Sequence, residues 1–446
     1  MEPPSLKNKR TLSARRIRRL RRRIVRGRAL SVLSNRLLQG VKSREQLFVI
    51  SAAVLIGFAG GFTAVGFRSL IDVFRSLFWG TGSFVEVVRS APVYMKWLIP
   101  ALGGGIVAAT VHRFAREARG HGVPEVMEAV ATRNGFIRMR VVVVKSVVSA
   151  LCIASGGSVG REGPIVQVGS AFGSAVGQIL QVSRRRMRTF VGCGAAAGIA
   201  ATFNAPIAGA IFASEIILGD FSIGSIGPIM ISSVLATVVS RGIYGDYPAF
   251  VPPVYVLQNP VELIFYGLLG VVAGLAALVF IKMLYSSEDM FERLRIPVPA
   301  RAVMGGVILG TLAIWAPEVL GVGYESVDHV LTGEFTLAFS GMLLAFKLVA
   351  TSMTLGSGGS GGIFAPSLFI GAMLGSAMGD LLHTLFPHVT ASSGAYALVG
   401  MAAVVAAATH APITAILIIF EMTSEYTVIL PLMISSIVAT FVKTRL

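Results

Sequence analysis

Charged side chains are scarce in this sequence. Asp, Glu, Lys and Arg make up 14% of the 446 residues, whereas they make up about a quarter of an average soluble domain. Hydrophobic residues make up 54%, and apolar stretches from about residue 45 onward reach the roughly 20 residues that a membrane-spanning helix needs. The alternating segments of a transmembrane barrel are lacking. The composition therefore predicts an all-α polytopic membrane protein.

Cysteine is also scarce, and common catalytic motifs are missing. The two cysteines, Cys152 and Cys193, lie in separate apolar stretches, which excludes a disulfide framework and a CxxC metal site. We expect both to be small core residues. HExxH and Walker motifs are absent from the sequence, which argues against a zinc protease and a P-loop pump. We expect no enzyme activity, no metal and no cofactor.

Positive charge is concentrated at the start of the chain. Of the 39 Lys and Arg residues, 15 lie between Lys7 and Arg44, and this segment is too basic for a secretory signal peptide. The positive-inside rule predicts that residues 1–44 are cytoplasmic. We expect them to lie on anionic lipid, with nucleic-acid binding as the weaker alternative. The basic cluster at Ser183–Arg188 predicts a second cytoplasmic loop.

The later part of the sequence contains an internal repeat. Segment 141–177 aligns without gaps with 343–379, and 194–215 aligns with 400–421. Interrupted apolar segments at matching places in two halves are typical of transporter binding sites. We therefore expect a transmembrane domain over 45–446, with halves of about 45–240 and 258–446. The match leaves open whether the halves are parallel or inverted.

Three glycine-rich loops each precede an apolar helix. They are GHGVP at Gly120–Pro124, GREGP at Gly160–Pro164 and GIFAP at Gly362–Pro366. Proline suits the first turn of a helix, where the backbone N–H groups have no partner within the helix. Such N–H groups bind anions readily. The loops predict helix ends that converge on one anion; ordinary helix starts, with glycines for tight packing, are the alternative.

These loops resemble motifs of the CLC family of chloride channels and chloride/proton antiporters. GREGP is similar to the family's G(K/R)EGP, GIFAP to its GxFxP and GHGVP to its GSGIP, and the stretch at 203–215 is similar to the helix that follows. The resemblance covers about 45–446. It implies a homodimer in the inner cell membrane, in which each subunit has its own path through inverted repeats of tilted, partly spanning helices. Chloride and protons are the implied cargo.

The resemblance also implies roles for individual residues. Glu162 is the expected gate and proton acceptor, since an ionised carboxylate blocks an anion site and a protonated one leaves it; an ion pair with Arg161 is the structural alternative. The expected anion contacts are His121, Gly122, Gly160, Arg161, Gly163, Gly362, Ile363, Phe364 and Ala365.

Two positions depart from the family pattern. Ile216 stands where many antiporters of the family have an internal proton-transfer glutamate. Protons then enter through water, or coupling is weak, or the protein is a channel. Glu215 lies about 100° round the helix and repeats as Glu421, which favours a structural role for it. His121 replaces a serine; it either changes anion selectivity or points away from the ion.

The sequence ends at 439–446, where the family's helix with an inner-site tyrosine begins. We expect that helix, and any CBS-type regulatory region, to lie beyond the sequence. The predicted function is chloride/proton antiport, and a passive voltage- or pH-gated chloride channel is the alternative. An intramembrane protease using Asp220 and Asp380 is a remote alternative, because Ile217 breaks the GxGD form.

Overall fold

The computed structural model describes residues 45–114, 120–248, 250 and 259–446. The chain divides into two units, Met1–Ala52 and Ala53–Leu446. Of the first unit only 45–52 is described, and it is helical. The basic arm predicted over 1–44 lies outside the described residues.

Helices make up most of the described chain. In the residues that the structure describes they are α1 45–79, α2 Phe84–Ser90, α3 Val93–Phe114, α4 Val123–Thr132, α5 Arg140–Ala154, α6 Glu162–Ile179, α7 Arg184–Phe203, α8 Pro206–Phe212, α9 Ile223–Tyr244, α10 Glu262–Arg293, α11 Val298–Trp315, α12 Tyr324–Leu331, α13 Leu337–Gly356, α14 Phe364–Leu385, α15 Ser393–Thr409, α16 Pro412–Thr423 and α17 Ile429–Arg445. A π-helical turn at Ala213–Leu218 continues α8.

The lengths of these helices fit a polytopic membrane protein. Seven described helical segments are long and apolar enough to cross a membrane. Three further apolar helices, Pro206–Leu218, Ser393–Thr409 and Pro412–Thr423, are shorter than the roughly 20 residues of a full span. Both cysteines are buried and free, as expected of small core residues. The prediction of spanning and partly spanning helices is confirmed.

Helices α3 and α11 show how the two halves are related. They occupy matching places in the repeat and run antiparallel: a methyl group on Gly104 would press on the carbonyl oxygen of Ala302, and one on Gly310 would press on Lys96. A two-fold axis that reverses two membrane-spanning helices lies in the plane of the membrane. The halves are therefore inverted repeats.

In each half, one glutamate binds the start of a helix that belongs to the other half. Glu215 accepts hydrogen bonds from the backbone nitrogens of Ile413 and Thr414, at 3.3 and 2.7 Å, in the first turn of α16. Glu421 accepts two equivalent bonds, at 3.0 and 2.6 Å, in the first turn of α8. A carboxylate stabilises the positive end of a helix dipole. The structural role expected for Glu215 is confirmed.

In each half, a pair of glycines lets two neighbouring helices pack closely together. Gly169 of α6 faces Gly194 of α7, and Gly371 of α14 faces Gly400 of α15; a methyl group on any of them would overlap the partner's backbone. Small residues are favoured at such interfaces because apolar lipid gives helices little hydrophobic reason to associate. These contacts hold α6 and α14, whose first residues belong to the candidate site.

Candidate functional site

The two repeated loops pair with each other through their backbones. The nitrogen of Gly160 donates to the oxygen of Gly362, and the nitrogen of Gly362 donates to the oxygen of Gly160, both at 2.7 Å. The two glycines are equivalent in the repeat, so this antiparallel bridge lies on the local two-fold axis. The bridge places the first turns of α6 and α14 side by side.

The third loop reaches the same point. Gly122 has a φ of +94°, a conformation that suits glycine, and α4 begins at the next residue. A methyl group on Gly163 would overlap the carbonyl oxygen of His121 and would lie 2.9 Å from the Cα of Gly362. The starts of α4, α6 and α14 therefore meet, as the three loops predicted.

Three of the predicted anion contacts have their N–H groups engaged inside the protein. Gly160 and Gly362 bond to each other, and the nitrogen of Gly122 donates to Oε2 of Glu125 at 2.7 Å. These glycines build the junction of the loops and have no free amide for an anion. The anion contact predicted for Gly122, Gly160 and Gly362 stays a prediction, and in this structure their amides bond within the protein.

Glu162 is the first residue of α6, and its side chain is buried, with 1% exposed. The hydroxyl of Tyr324 donates to Oε1 at 2.6 Å, while Oε2 has no hydrogen-bond partner among the described residues. A methyl group on Gly160 would touch both Oε2 and the backbone nitrogen of Ala365. The carboxylate therefore lies at the amino end of α14, where an anion would be stabilised.

Two cavities border the loop that carries Glu162. The arginine cavity, of about 200 Å³, is lined in part by Arg68, Arg75, Arg161 and Tyr324. The histidine cavity, of about 350 Å³, is lined in part by His121, Gly163, Ile216, Ile363, Phe364, His410 and Lys443. Arg161 and Gly163 face different cavities. Glu162, the residue between them, thus stands in the wall that separates the two.

Four of the nine predicted anion contacts line the histidine cavity. His121, Gly163, Ile363 and Phe364 line the histidine cavity, with Ala365 in the same first turn of α14. Arg161 instead lines the arginine cavity, and its Nη2 donates to the carbonyl of Thr202 at 3.5 Å. The structure thus separates Arg161 from the predicted contacts that line the histidine cavity.

His121 and Ile216 both border the histidine cavity. The Nδ1 atom of His121 is buried and has no hydrogen-bond partner among the described residues. Ile216 lies in the π-helical turn that follows α8. Among the described residues that line this cavity, none is an aspartate or a glutamate. Neighbouring Glu215 is held at the start of α16 and does not replace the missing acid.

The sequence analysis missed Tyr324. It follows Gly321 and Gly323, which match Gly120 and Gly122 of GHGVP, and each pair precedes a short helix. These glycines have positive φ angles at both places. A shift of one residue between this match and the main repeat hid the relation. The G-x-G pattern was the signal that could have located the second loop.

Buried lysines support both of these loops. Lys145 donates to the carbonyl of Gly120 at 2.9 Å, and its repeat partner Lys347 donates to the carbonyl of Gly321 at 3.1 Å. Each lysine therefore fixes the turn before one of the short helices α4 and α12. The repeat had matched the two lysines, but a single sequence gave no sign of which carbonyls they bind.

Asp220, one aspartate of the remote protease alternative, has a local structural role. It is exposed and accepts hydrogen bonds from the nitrogen and the hydroxyl of Ser222, both at 2.9 Å. Those bonds, with nearby Arg185 and Arg188, hold the pKa of the Asp220 carboxyl below its usual range. The residue thus stabilises the turn before α9.

Comparison with known proteins places the chain in a family. A family model described as voltage gated chloride channel matches residues 103–444. The putative chloride channel protein ClcB-like of Ralstonia nicotianae is 37% identical over 396 residues, which cover 87% of this chain and 92% of that protein. The voltage-gated ClC-type chloride channel ClcB of Escherichia coli is 33% identical over 402 residues, 88% of this chain and 95% of that protein.

Solved structures share the fold. A slow cyanobacterial Cl⁻/H⁺ antiporter matches with a TM-score of 0.81 and 26% identity over 89% of this chain and 94% of that one. A CLC-type fluoride/proton antiporter matches with a TM-score of 0.76 and 21% identity over 90% and 96%. Together with the spanning helices and the paired loops, these matches show that the chain is a multi-pass integral membrane protein that belongs to the voltage gated chloride channel family.

Proposed function

We propose that this protein moves chloride across a membrane in exchange for protons, with Glu162 as the gate. One observation carries the proposal: Glu162 has a buried carboxylate at the amino end of α14, and its neighbours Arg161 and Gly163 line two different cavities. Intramembrane carboxylates are costly and usually functional. The relatives named as chloride channels and the related Cl⁻/H⁺ antiporter structure support chloride and protons as the cargo.

The anion site is formed by the first turn of α14 together with the wall of the histidine cavity. The first-turn N–H groups of α14 belong to Ile363, Phe364 and Ala365. They have no i−4 carbonyl within the helix to donate to, and they are not part of the bridge between Gly160 and Gly362. His121 borders the same space. An anion here gains from the helix dipole and from these donors.

The gate works through competition between two negative charges. When ionised, the Glu162 carboxylate occupies the amino end of α14 and closes the path between the cavities. When it gains a proton, it no longer competes for those donors, and chloride takes its place. The proton that opened the gate then leaves on the other side, which couples the two ions.

Substitution of the gate tests this proposal. Glu162→Gln keeps the shape of the side chain but cannot ionise. In liposomes with opposed chloride and proton gradients, we expect this variant to conduct chloride without moving protons. Glu128→Gln, an exposed α4 carboxylate paired with Arg133, is the matched control and should behave as the wild type. Proton uptake at the wild-type rate in Glu162→Gln would overturn the proposal.

A passive chloride channel is the second candidate, because Ile216 and its neighbours give the histidine cavity no carboxylate. Protons would then have no acidic relay on that side. A channel moves no protons with chloride. If chloride efflux from liposomes holding the wild-type protein leaves the internal pH unchanged, the channel assignment is correct and the antiport assignment is wrong.

The orientation follows from the distribution of charge. The basic residues 1–44 favour a cytoplasmic start for α1, and Arg68 and Arg75 lie in its later turns. The arginine cavity then faces away from the cytoplasm, and the histidine cavity, with Lys443 near the end of α17, faces it. The variants Arg75→Cys and Lys443→Cys test this assignment when a membrane-impermeant thiol reagent is added to intact cells. We expect Arg75→Cys to react and Lys443→Cys not to react.

The family membership supports a homodimer in the inner cell membrane, in which each subunit has its own path. Multi-angle light scattering in detergent, corrected for bound detergent, tests this directly. A protein mass of two chains supports the dimer, and a mass of one chain contradicts it.

A further inference from the structure

Tyr324 is the one side chain of the second half that bonds to Glu162 among the described residues. It is the first residue of α12, and Gly323 before it has a φ of +89°. Its ring borders the arginine cavity, and its hydroxyl donates to Oε1 of Glu162 at 2.6 Å. The contact joins residues 162 positions apart in the chain.

The ring of Tyr324 is held on two sides. Phe250 meets it edge to face, with ring centroids 5.4 Å apart and planes at 83°. The guanidinium carbon of Arg161 lies 5.2 Å from the ring centroid, within the range of a cation–π contact. The hydroxyl is therefore aimed at the carboxylate by contacts that do not involve the carboxylate itself.

We propose that the Tyr324 hydroxyl is a latch that positions the Glu162 carboxylate in the closed path. The inference rests on the proposed gating role of Glu162. A hydroxyl bonds more strongly to an ionised carboxylate than to a neutral acid, so the bond favours the ionised, blocking form. Protonation of Glu162 weakens the bond, and the side chain can then leave the end of α14. Tyr324 is a positioning residue, since it does not itself bind the transported ions.

The other charged groups around Glu162 come from few elements. Arg161 precedes it in the same loop, and Arg68 and Arg75 of α1 line the arginine cavity, as does the titratable Tyr324 of α12. The paired loop at 362–365 contributes no titratable side chain. Of the two acids in the cavity lining, Glu325 accepts bonds from Ser83 and the start of α2, and Asp72 lies on α1 beside the arginines.

Removal of the hydroxyl tests the latch. Tyr324→Phe keeps the ring and its contacts with Phe250 and Arg161. Because the lost bond favoured the ionised carboxylate, we expect the rise of chloride flux with acidification to begin at a higher pH, displaced by about one to two pH units. Tyr94→Phe, at an exposed ring near the start of α3, is the matched control and should leave the profile unchanged.

A double variant separates the latch from a merely structural role. In Glu162→Gln the gate has no carboxylate for the hydroxyl to bond, so adding Tyr324→Phe should change neither the flux nor its pH dependence. A purely structural tyrosine would lower flux in both backgrounds and leave the wild-type midpoint where it was. An unshifted midpoint in Tyr324→Phe overturns the latch while Glu162→Gln still reports on the gate itself.

A second substitution at the same position protects the test against misfolding. Incorporation of 3-fluorotyrosine at position 324 makes the phenol a better donor with little change in shape. The latch predicts a displacement of the flux profile toward lower pH, opposite in sign to that of Tyr324→Phe. No displacement, or one in the same direction as for phenylalanine, would contradict it.

Discussion

The loops GREGP and GIFAP are two versions of one structure, and they differ where the first has Arg161 and Glu162 and the second has Ile363 and Phe364. Both are held by the bridge between Gly160 and Gly362, and both precede an apolar helix with proline in its first turn. Where the first loop has Glu162, the second has Phe364, whose ring packs 5.5 Å from that of Phe203. The fold thus supplies two equivalent helix ends, and only one carries an ionisable side chain. In the proposed mechanism, one half holds the gate and the other half supplies the site that the gate closes.

The largest expected effect concerns the junction between the loops. Gly163→Ala places a methyl group on the carbonyl oxygen of His121 and against Gly362. We expect a loss of about 3 kcal/mol of stability, the upper end of the range for overpacking, measured as reduced thermal stability in detergent. Ala365→Gly, at the equivalent position of the second half, only removes a methyl group and is the control. Equal stability of the two variants would contradict the close approach at Gly163.

Glu215 and Glu421, which bind helix starts in the opposite halves, are expected to have a smaller effect on stability, and of similar size for both. Glu215→Ala and Glu421→Ala each leave two backbone N–H groups at a helix start without an acceptor, which costs about 1–3 kcal/mol. We expect both to lower the unfolding temperature while the pH profile of transport stays unchanged. The exposed Glu128→Ala should change neither the unfolding temperature nor the pH profile of transport. If Glu215→Ala alone stopped proton movement, Glu215 would be a proton relay and not a helix cap.

The smallest expected effect concerns selectivity in the histidine cavity. Because the buried Nδ1 of His121 has no hydrogen-bond partner among the described residues, we expect His121→Ser to change the permeability ratio of nitrate to chloride by about fivefold, equivalent to roughly 1 kcal/mol. Reversal potentials under two-anion conditions measure this ratio. His329→Ser, at an exposed site on α12, is the control. An unchanged ratio would mean that the ring does not contact the ions.

Much of this arrangement could be predicted from local sequence patterns. Proline and glycine mark helix starts because they restrict or free the backbone at single positions, so the three loops could be located. The repeat made Glu215 and Glu421 equivalent, and this argued for a structural role before any contact was known. Glu162 stood out because a lone carboxylate in an apolar chain needs a reason.

The rest depends on contacts between distant parts of the chain. The amides of Gly160 and Gly362 could serve an anion as well as each other, and only the three-dimensional pairing of the loops decides between these uses. Arg161 and Gly163 are two residues apart, yet they face different cavities. Tyr324 is joined to Glu162 through a loop whose relation to GHGVP was hidden by a one-residue shift. Residue type and spacing do not determine such directions.

The reversal potential of the wild-type protein under opposed chloride and pH gradients tests the central claim most directly. Exchange through Glu162 predicts a potential displaced from the chloride equilibrium value that moves when the pH gradient is changed. Glu162→Gln, measured in the same bilayer, should return to the chloride value at every pH. A wild-type potential that equals the chloride value and ignores pH would contradict exchange.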